Sequence, residues 1–198
     1  MRNIGRTPAL RHAFDLARGE YVAVLDADDI ADPNRIGRQV EFLSQNAGVA
    51  LLGSWTKQIN GHGKEIIELK PPTNQNELRE LLGWANPIVH SSTMYRRKLA
   101  QQVGGYSSRL IYAQDYGLLL ALARHHAVAV LDEFLCYQRV LPTQMSNSRK
   151  YQRTIAEEQI YLFQYALATL ELSARAQRLN KRSQAVAEIR LGMSRLSE

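Results

Sequence analysis

The residues best equipped for chemistry are three carboxylates packed into four positions, Asp26, Asp28 and Asp29, directly after the apolar run Tyr21-Val22-Ala23-Val24-Leu25. A continuous apolar run of this length suits a central strand buried on both faces. In α/β sheets ligands collect outside the carboxyl ends of strands, where these aspartates fall. Clustered carboxylates repel one another unless a cation or basic partner compensates. Hard oxygen donors of this kind suit a divalent metal, Mg²⁺ or Mn²⁺, carrying a diphosphate. An Asp-rich turn that only caps the next helix is the plain alternative. A fourth carboxylate stands apart. Asp115 is the only acidic residue between Glu80 and Asp132 and falls near the start of an apolar helix pattern, where an acid can also act simply as a dipole-stabilising residue.

The pattern around these residues alternates strands with helices, the mark of an α/β layered domain. Thr7-Pro8 opens a helix, with Leu10, Ala13, Phe14 and Ala17 at helical spacing and Gly19 as its stop. Asp32-Pro33 starts a second helix, with Ile36, Val40 and Leu43 expected on one face. Val49–Leu52 reads as a strand, and Asn60-Gly61 with Gly63 folds Trp55–Leu69 into a hairpin. Leu78, Leu81 and Leu82 mark a short helix, Ser92–Tyr95 a strand, and Leu99–Val103 a helix closed by Gly104. Leu118, Leu119 and Leu122 follow Asp115 on its helix, and Val128–Leu131 is expected as a last short strand.

After Ser148 the character changes. Ile160, Phe163, Leu167 and Leu170, then Val186, Ile189, Met193 and Leu196, recur at three-four-three spacing, with no glycine or proline from Arg149 to Leu191. This predicts a helical tail over 149–198, two helices with a break near Asn180, appended to an α/β domain over 1–148. Apolar stripes of this kind face a core or a partner.

Composition sets outer limits. The 198 residues carry a net charge of +6, and the tail holds nine Lys/Arg against five Asp/Glu, a net +4. A basic tail suits contact with an anionic membrane surface or a protein, or a solvated helix face; no nucleic-acid module accompanies it. The lone Cys136 excludes an internal disulfide framework and reads as a buried small hydrophobe. No apolar run approaches the roughly 20 residues of a membrane span and no secretory leader is visible, so a cytoplasmic location, at most peripheral to the inner membrane face, is the expectation.

Taken in order, Asn3-Ile4-Gly5, Gly19–Asp29 and Pro33 with Arg35 resemble the middle of family 2 glycosyltransferases of the GT-A fold. Asn86–Arg97 resembles that family's acceptor-side strand, and Val103-Gly104-Gly105-Tyr106 the glycine pair after it. Ala113-Gln114-Asp115-Tyr116 resembles its Glu-Asp-Tyr stretch, and Arg139–Ser146 its closing loop. The resemblance implies a partial GT-A fold, a mixed sheet flanked by helices. It implies an inverting transfer from a nucleotide-sugar donor to a hydroxyl of a glycan or lipid-linked acceptor. Asp26 and Asp28 would hold the divalent metal, Asp29 would lie beside them at the donor, His90 and Ser91 on the acceptor side, and Asp115 would be the catalytic base. Gln114 departs from the usual Glu, Leu141 from a common His, and Gly117 and Leu119 from the usual Asp and Trp. The family's first strands and helices have no counterpart before Met1, which leaves the donor pocket incomplete and one edge of Tyr21–Leu25 without a partner strand. A non-catalytic remnant or binding subunit is the competing expectation. A haloacid-dehalogenase-type phosphatase shares the strand-D-x-D pattern, but lacks here a Thr or Gly soon after the second Asp and a later acidic pair. Trp55 and Trp84 suit core packing or stacking on a sugar.

Overall fold

The computed structural model describes residues 4–142, 144 and 151–195. A six-stranded mixed sheet forms its centre, built from β1 (Tyr21–Ala23), β2 (Ile30–Ala31), β3 (Val49–Ile59), β4 (Glu65–Leu69), β5 (Met94–Arg96) and β6 (Ala127–Arg139). The order is β1-β5-β3-β6-β2, with β4 pairing the far half of β3. β3 and β6 run parallel and every other pairing is antiparallel. Helices α1 (Arg6–Leu16), α2 (Arg35–Gln45), α3 (Gln75–Leu82), α4 (Arg97–Gln102) and α5 (Gln114–Ala123) flank the sheet, and α6 (Gln152–Thr169) and α7 (Ala174–Arg195) form a C-terminal pair. This is the mixed α/β arrangement with a helical tail that the sequence predicts.

Several local expectations need correction. Among the described residues β1 is an edge strand, paired only with β5, and its residues are half-buried or exposed, not buried on both faces. It ends at Ala23, although the Val24 N–H still donates to the Thr93 carbonyl at 3.0 Å. α1 begins after Gly5, whose φ is 89°, so Thr7 is not its cap. The buried Thr7 hydroxyl donates instead to the Leu110 carbonyl at 2.6 Å, fastening α1 to the loop before α5. α1 stops at Leu16, before Gly19. On α2 the buried row is Arg35, Gln39 and Leu43, and Ile36 and Val40 are exposed. The cause is a demand for donors beneath the helix. Arg35 Nη2 donates to the Val24 and Thr93 carbonyls at 2.7 and 2.9 Å, and Gln39 Nε2 to the Ser92 carbonyl at 2.8 Å. Unpaired buried carbonyls are costly, so the i, i+4 polar row outcompetes the apolar one. β6 runs on to Arg139, well beyond Leu131, absorbing Asp132 and Glu133 by a shift of register against β3.

α5 is buried all round, with Leu118, Leu119, Leu120 and Leu122 in the main core. Gly117 allows the close approach of Leu110 to this helix: a Cβ there would meet Leu110 Cδ1 at 2.3 Å. Gly104 and Gly105, with φ of 89° and 64°, close α4 as expected. Cys136 is fully buried and free. Trp55 packs on Phe134 with ring centres 5.5 Å apart.

The helix pair shares the body's core, to which α6 contributes Leu162, Phe163 and Ala166, with Leu170 just beyond its end. The break between the helices falls at Leu170–Ser173, not near Asn180. Asn180 lies fully buried within α7 and its Nδ2 donates to the carbonyls of Phe163 on α6 and Gly83 after α3. The second apolar series does not reach the core: Val186, Ile189 and Met193 are 48, 62 and 58% exposed. Leu196 lies outside the described residues. No helix among the described residues is long and apolar enough to cross a membrane.

Candidate active site

One open cleft of about 1120 Å³ gathers most of the chemistry-bearing residues. Asp26, Asp28, Asp29, His90 and Asp115 line it, together with Arg6, Trp84, Asn86 and Leu179, Arg182, Val186 and Arg190 of α7. A cleft of this size holds a ligand of several rings.

At the acidic end, β1 delivers Asp26, whose carboxylate accepts from Arg6 Nη2 at 3.0 Å. The Asp26 N–H donates to Ser91 Oγ at 3.0 Å. Ser91 is fully buried and meets the aspartate loop from beneath. Asp28 is exposed, and its carboxylate accepts from Gln144 Nε2 at 3.3 Å. Asp29 accepts from the Arg139 N–H at 2.8 Å, while Arg139 Nε donates to the Asp28 carbonyl at 3.0 Å. The long β6 is what brings Arg139 to this loop. Burial raises the Asp29 pKa above the ordinary carboxylate value, opposed by hydrogen bonds from Ser91 and the Arg139 N–H and reinforced by Asp28 and Asp26. Among the described residues there is no group of three His, Cys, Asp or Glu side chains disposed to grip a metal ion. Two carboxylates on one cleft wall fit a hard cation that takes its remaining oxygens from a phosphate ligand and water.

At the other end, Asp115 lies in the first turn of α5. Asn86 Nδ2 donates to Asp115 Oδ2 at 2.9 Å. The loop before it is gripped from α6. The buried Glu158 carboxylate accepts three consecutive backbone N–H groups, Ile111 at 2.5 Å, Tyr112 at 2.9 Å and Ala113 at 2.8 Å. Gln114 is fully buried. With its amide nitrogen donating to the Ile111 and Tyr112 carbonyls, its oxygen accepts from Arg6 Nε at 3.1 Å, so Arg6 spans the two ends. A Glu at this position would instead face those two carbonyls with a charge, which gives the departure at Gln114 a local reason.

Between the ends lies His90, 8% exposed, its Nε2 2.9 Å from the Tyr106 hydroxyl and its Nδ1 buried with no partner among the described residues. Burial lowers its pKa, Asp115 and Asp26 oppose the shift, and Arg6 adds to it. The neighbouring Tyr95 hydroxyl is pushed up to about 12 by burial. Trp84 lines the cleft, unlike Trp55. Of the closing-loop stretch, residues 143, 145 and 146 lie outside the described residues, as does Asn3.

The model of glycosyl transferase family 2 matches residues 2–104, from before the aspartate cluster through the strand after His90. The chain belongs to that family. An uncharacterized glycosyltransferase of Methanocaldococcus jannaschii is 32% identical over 170 residues, covering 85% of this chain and 56% of that protein. The amylovoran biosynthesis glycosyltransferase AmsE of Erwinia amylovora is 28% identical over 167 residues, covering 84% of this chain and 62% of the relative. The chain thus spans little more than half the length of these family 2 relatives. Among solved structures, the mannosyltransferase PcManGT of Pyrobaculum calidifontis, in complex with GDP-Man and Mn²⁺, superposes with a TM-score of 0.60 at 19% identity. It covers 98% of this chain and 56% of that one, and attests the GT-A-like fold.

Arg6, Arg139 and Glu158 carry no chemical signal of their own in the sequence. Their partners lie 20, 110 and 45–47 residues away, beyond any local pattern.

Proposed function

We propose that this chain carries the catalytic half of an inverting, metal-assisted glycosyltransferase that moves a sugar from a nucleotide-sugar donor to a hydroxyl of a glycan or lipid-linked acceptor. The observation that carries the reading is that two unlike carboxylate sites, Asp26 with Asp28 and, separately, Asp115, line one cleft. A sugar hydroxyl is a poor nucleophile and needs a base within hydrogen-bond reach. Asp115 takes the acceptor proton, the acceptor oxygen forms its bond to the anomeric carbon from the face opposite the leaving group, and the bond from that carbon to the donor phosphate breaks. Asp26 and Asp28 hold the divalent cation, Mn²⁺ or Mg²⁺, which supplies charge neutralisation at the departing diphosphate. Asp29 steadies the same loop at the donor, His90 forms the floor towards the acceptor, and the buried Ser91 holds the aspartate loop behind it. The mannosyltransferase with GDP-Man and Mn²⁺ and the role of AmsE in amylovoran biosynthesis support this reading by similarity.

Calorimetry with Mn²⁺ and a nucleoside diphosphate tests it. The Asp26→Ala/Asp28→Ala chain is expected to bind the pair at least about 10-fold more weakly than the wild type. Equal binding by the two proteins refutes the metal assignment.

A further inference from the structure

Tyr95, Tyr106 and His90 form a buried chain whose protons can be counted. The three residues are 1, 2 and 8% exposed. The Tyr95 hydroxyl donates to the Tyr106 hydroxyl at 3.3 Å, and the Tyr106 hydroxyl lies 2.9 Å from His90 Nε2. Burial raises the pKa of both phenols, so each keeps its proton near neutral pH. Among the described residues Tyr106 is the acceptor for the Tyr95 proton, which leaves His90 Nε2 as the acceptor for the proton of Tyr106. Burial also favours the neutral imidazole. The hydrogen bond at one ring nitrogen fixes the state of the other, so Nδ1 carries the imidazole proton. Nδ1 is then a buried donor without a partner among the described residues, a rare condition in a folded protein.

A second observation bears on what Nδ1 meets. A small cavity of about 10 Å³ is lined by Asn86, His90, Thr93, Tyr95 and Asp115, and otherwise by aliphatic side chains. It adjoins the large cleft, because Asn86, His90 and Asp115 line both. Its volume is the room that one water molecule takes, and a buried water needs two to four polar partners. The Asn86 amide already donates to Asp115 Oδ2, and the Thr93 hydroxyl to the His90 carbonyl at 2.7 Å. Asp115 Oδ1 has no hydrogen bond among the described residues, and the Thr93 oxygen can still accept. One donor and two acceptors therefore border a space of water size.

We infer that this cavity seats one structural water that accepts from His90 Nδ1–H and donates to the Asp115 carboxylate, which makes His90 a positioning residue for Asp115. A bond through such a water is nearly as favourable as a direct one. A donor to a carboxylate favours its ionised form. The water thus keeps Asp115 ionised and holds one of its oxygens from below, while Asn86 holds the other. His90 does not compete as a base, because Nδ1 bears a proton and Nε2 is engaged by Tyr106. That the carboxylate so held is the base rests on the glycosyl-transfer reading above; the tautomer and the water site do not.

The test uses NMR and crystallography of the full chain. In the wild type the ¹⁵N shifts of His90 are expected to show Nδ1 protonated and Nε2 bare at about pH 7.5, and protonation at Nε2 instead overturns the inference without any variant. A high-resolution crystal structure is expected to place a water within about 3 Å of both Nδ1 and an Asp115 oxygen, and its absence from that position overturns the water site. The Asp115 pKa, read from its carboxyl ¹³C shift, is expected to rise by at least about half a pH unit in His90→Gln, whose amide reaches Tyr106 and leaves the cavity without a donor. In His90→Asn the shorter amide lies where Nδ1 did, and Asp115 is expected to titrate close to wild type. Asp26 and Arg6 near the imidazole, and Arg182 and Arg190 along the cleft, are common to all three proteins and cancel in the comparison. A merely structural role for the ring, or a plain charge effect of the imidazolium, would move the two variants alike, and either result overturns the positioning role. If the Asn and Gln variants differ as expected and Asp115→Asn leaves transfer by the complete enzyme near normal, the base reading fails and the water site stands. If Asp115→Asn abolishes transfer and the two His90 variants titrate alike, the base stands and the positioning role fails.

Discussion

The acidic end and the base end of the cleft are held by different kinds of structure. Asp26 follows a three-residue edge strand, and its carboxylate is matched by one arginine, both side chains about one-third exposed. Asp28 is matched only by the Gln144 amide among the described residues. These are partners that an incoming cation and its phosphate can replace. Asp115 stands on a helix buried all round, fixed by Asn86 and by a loop whose three N–H groups close on one buried carboxylate. The difference teaches a division of labour: the donor end is arranged to exchange its contacts for a ligand's, and the base end is preorganised by the fold.

The sharpest way to break that contrast is Asp115→Asn, which keeps the shape and the contact with Asn86 but cannot accept a proton. Transfer by the complete enzyme is expected to fall by about 100-fold or more, with donor affinity within about 2-fold of wild type. Steady-state transfer and donor binding measure the two separately. Near-normal turnover would place the base elsewhere.

A smaller effect is expected from Glu158→Gln, which touches neither ligand. The amide offers one oxygen to three N–H donors and turns its own N–H₂ towards them. The loop that carries Asp115 loses its anchor, at a cost of about 1–3 kcal/mol in unfolding free energy. Turnover is expected to drop by about 10-fold while Mn²⁺–nucleotide affinity holds, since among the described residues the hydrogen bonds of Asp26, Asp28 and Asp29 run to Arg6, Ser91, Gln144 and Arg139 and none to α6. A fall in both by the same factor would mean that the two ends are not independently held. The same bonds bear on residues 1–148 taken alone. That fragment lacks Glu158 and the core residues Leu162 and Phe163, and it is expected to unfold at lower denaturant than the whole chain.

What the sequence made legible follows from how local each cause is. The aspartate cluster, the Asn60–Gly63 hairpin turn and the apolar α5 are written in adjacent residues, and the fold reproduces them. The buried face of α2 departs from the apolar spacing because Arg35 and Gln39 answer carbonyls just after β1 and just before β5, a demand that no helical periodicity records. The break in the tail was misplaced for a related reason. Asn180 has the composition of a helix stop, but its amide bridges the carbonyls of Phe163 on α6 and Gly83 just after α3. The true break is set by Ser173, whose hydroxyl accepts the Ala176 N–H and whose N–H donates to Glu80 on α3. The exposed series on α7 follows the same spacing as the largely buried one that ends at Leu170, so spacing alone could not tell core from surface.

The smallest expected effect concerns His90, between the two ends. Burial lowers its folded pKa below the usual 6.5, and the two nearby carboxylates only partly oppose this. The sign of the stability effect is then fixed. Above about pH 6.5 the imidazole is neutral in both states and contributes no slope. As pH falls below 6.5 the unfolded chain takes up a proton that the folded chain resists, so folding stability is lost with acidification, by at most about 1.4 kcal/mol per pH unit for one group. His90→Gln keeps a polar group near the Tyr106 hydroxyl and removes the titration. Chemical denaturation of both proteins at about pH 7 and pH 5.5 is expected to give a steeper loss for the wild type, and taking the difference cancels the other four histidines. A ligand that draws charge from Asp26 weakens one of the carboxylates that favour protonation, so the slope should steepen with Mn²⁺ and a nucleoside diphosphate present. Identical slopes for the two proteins would show that His90 takes its proton as readily folded as unfolded. The floor between the donor and base ends would then be open to water, and the base end less sealed than its buried supports imply.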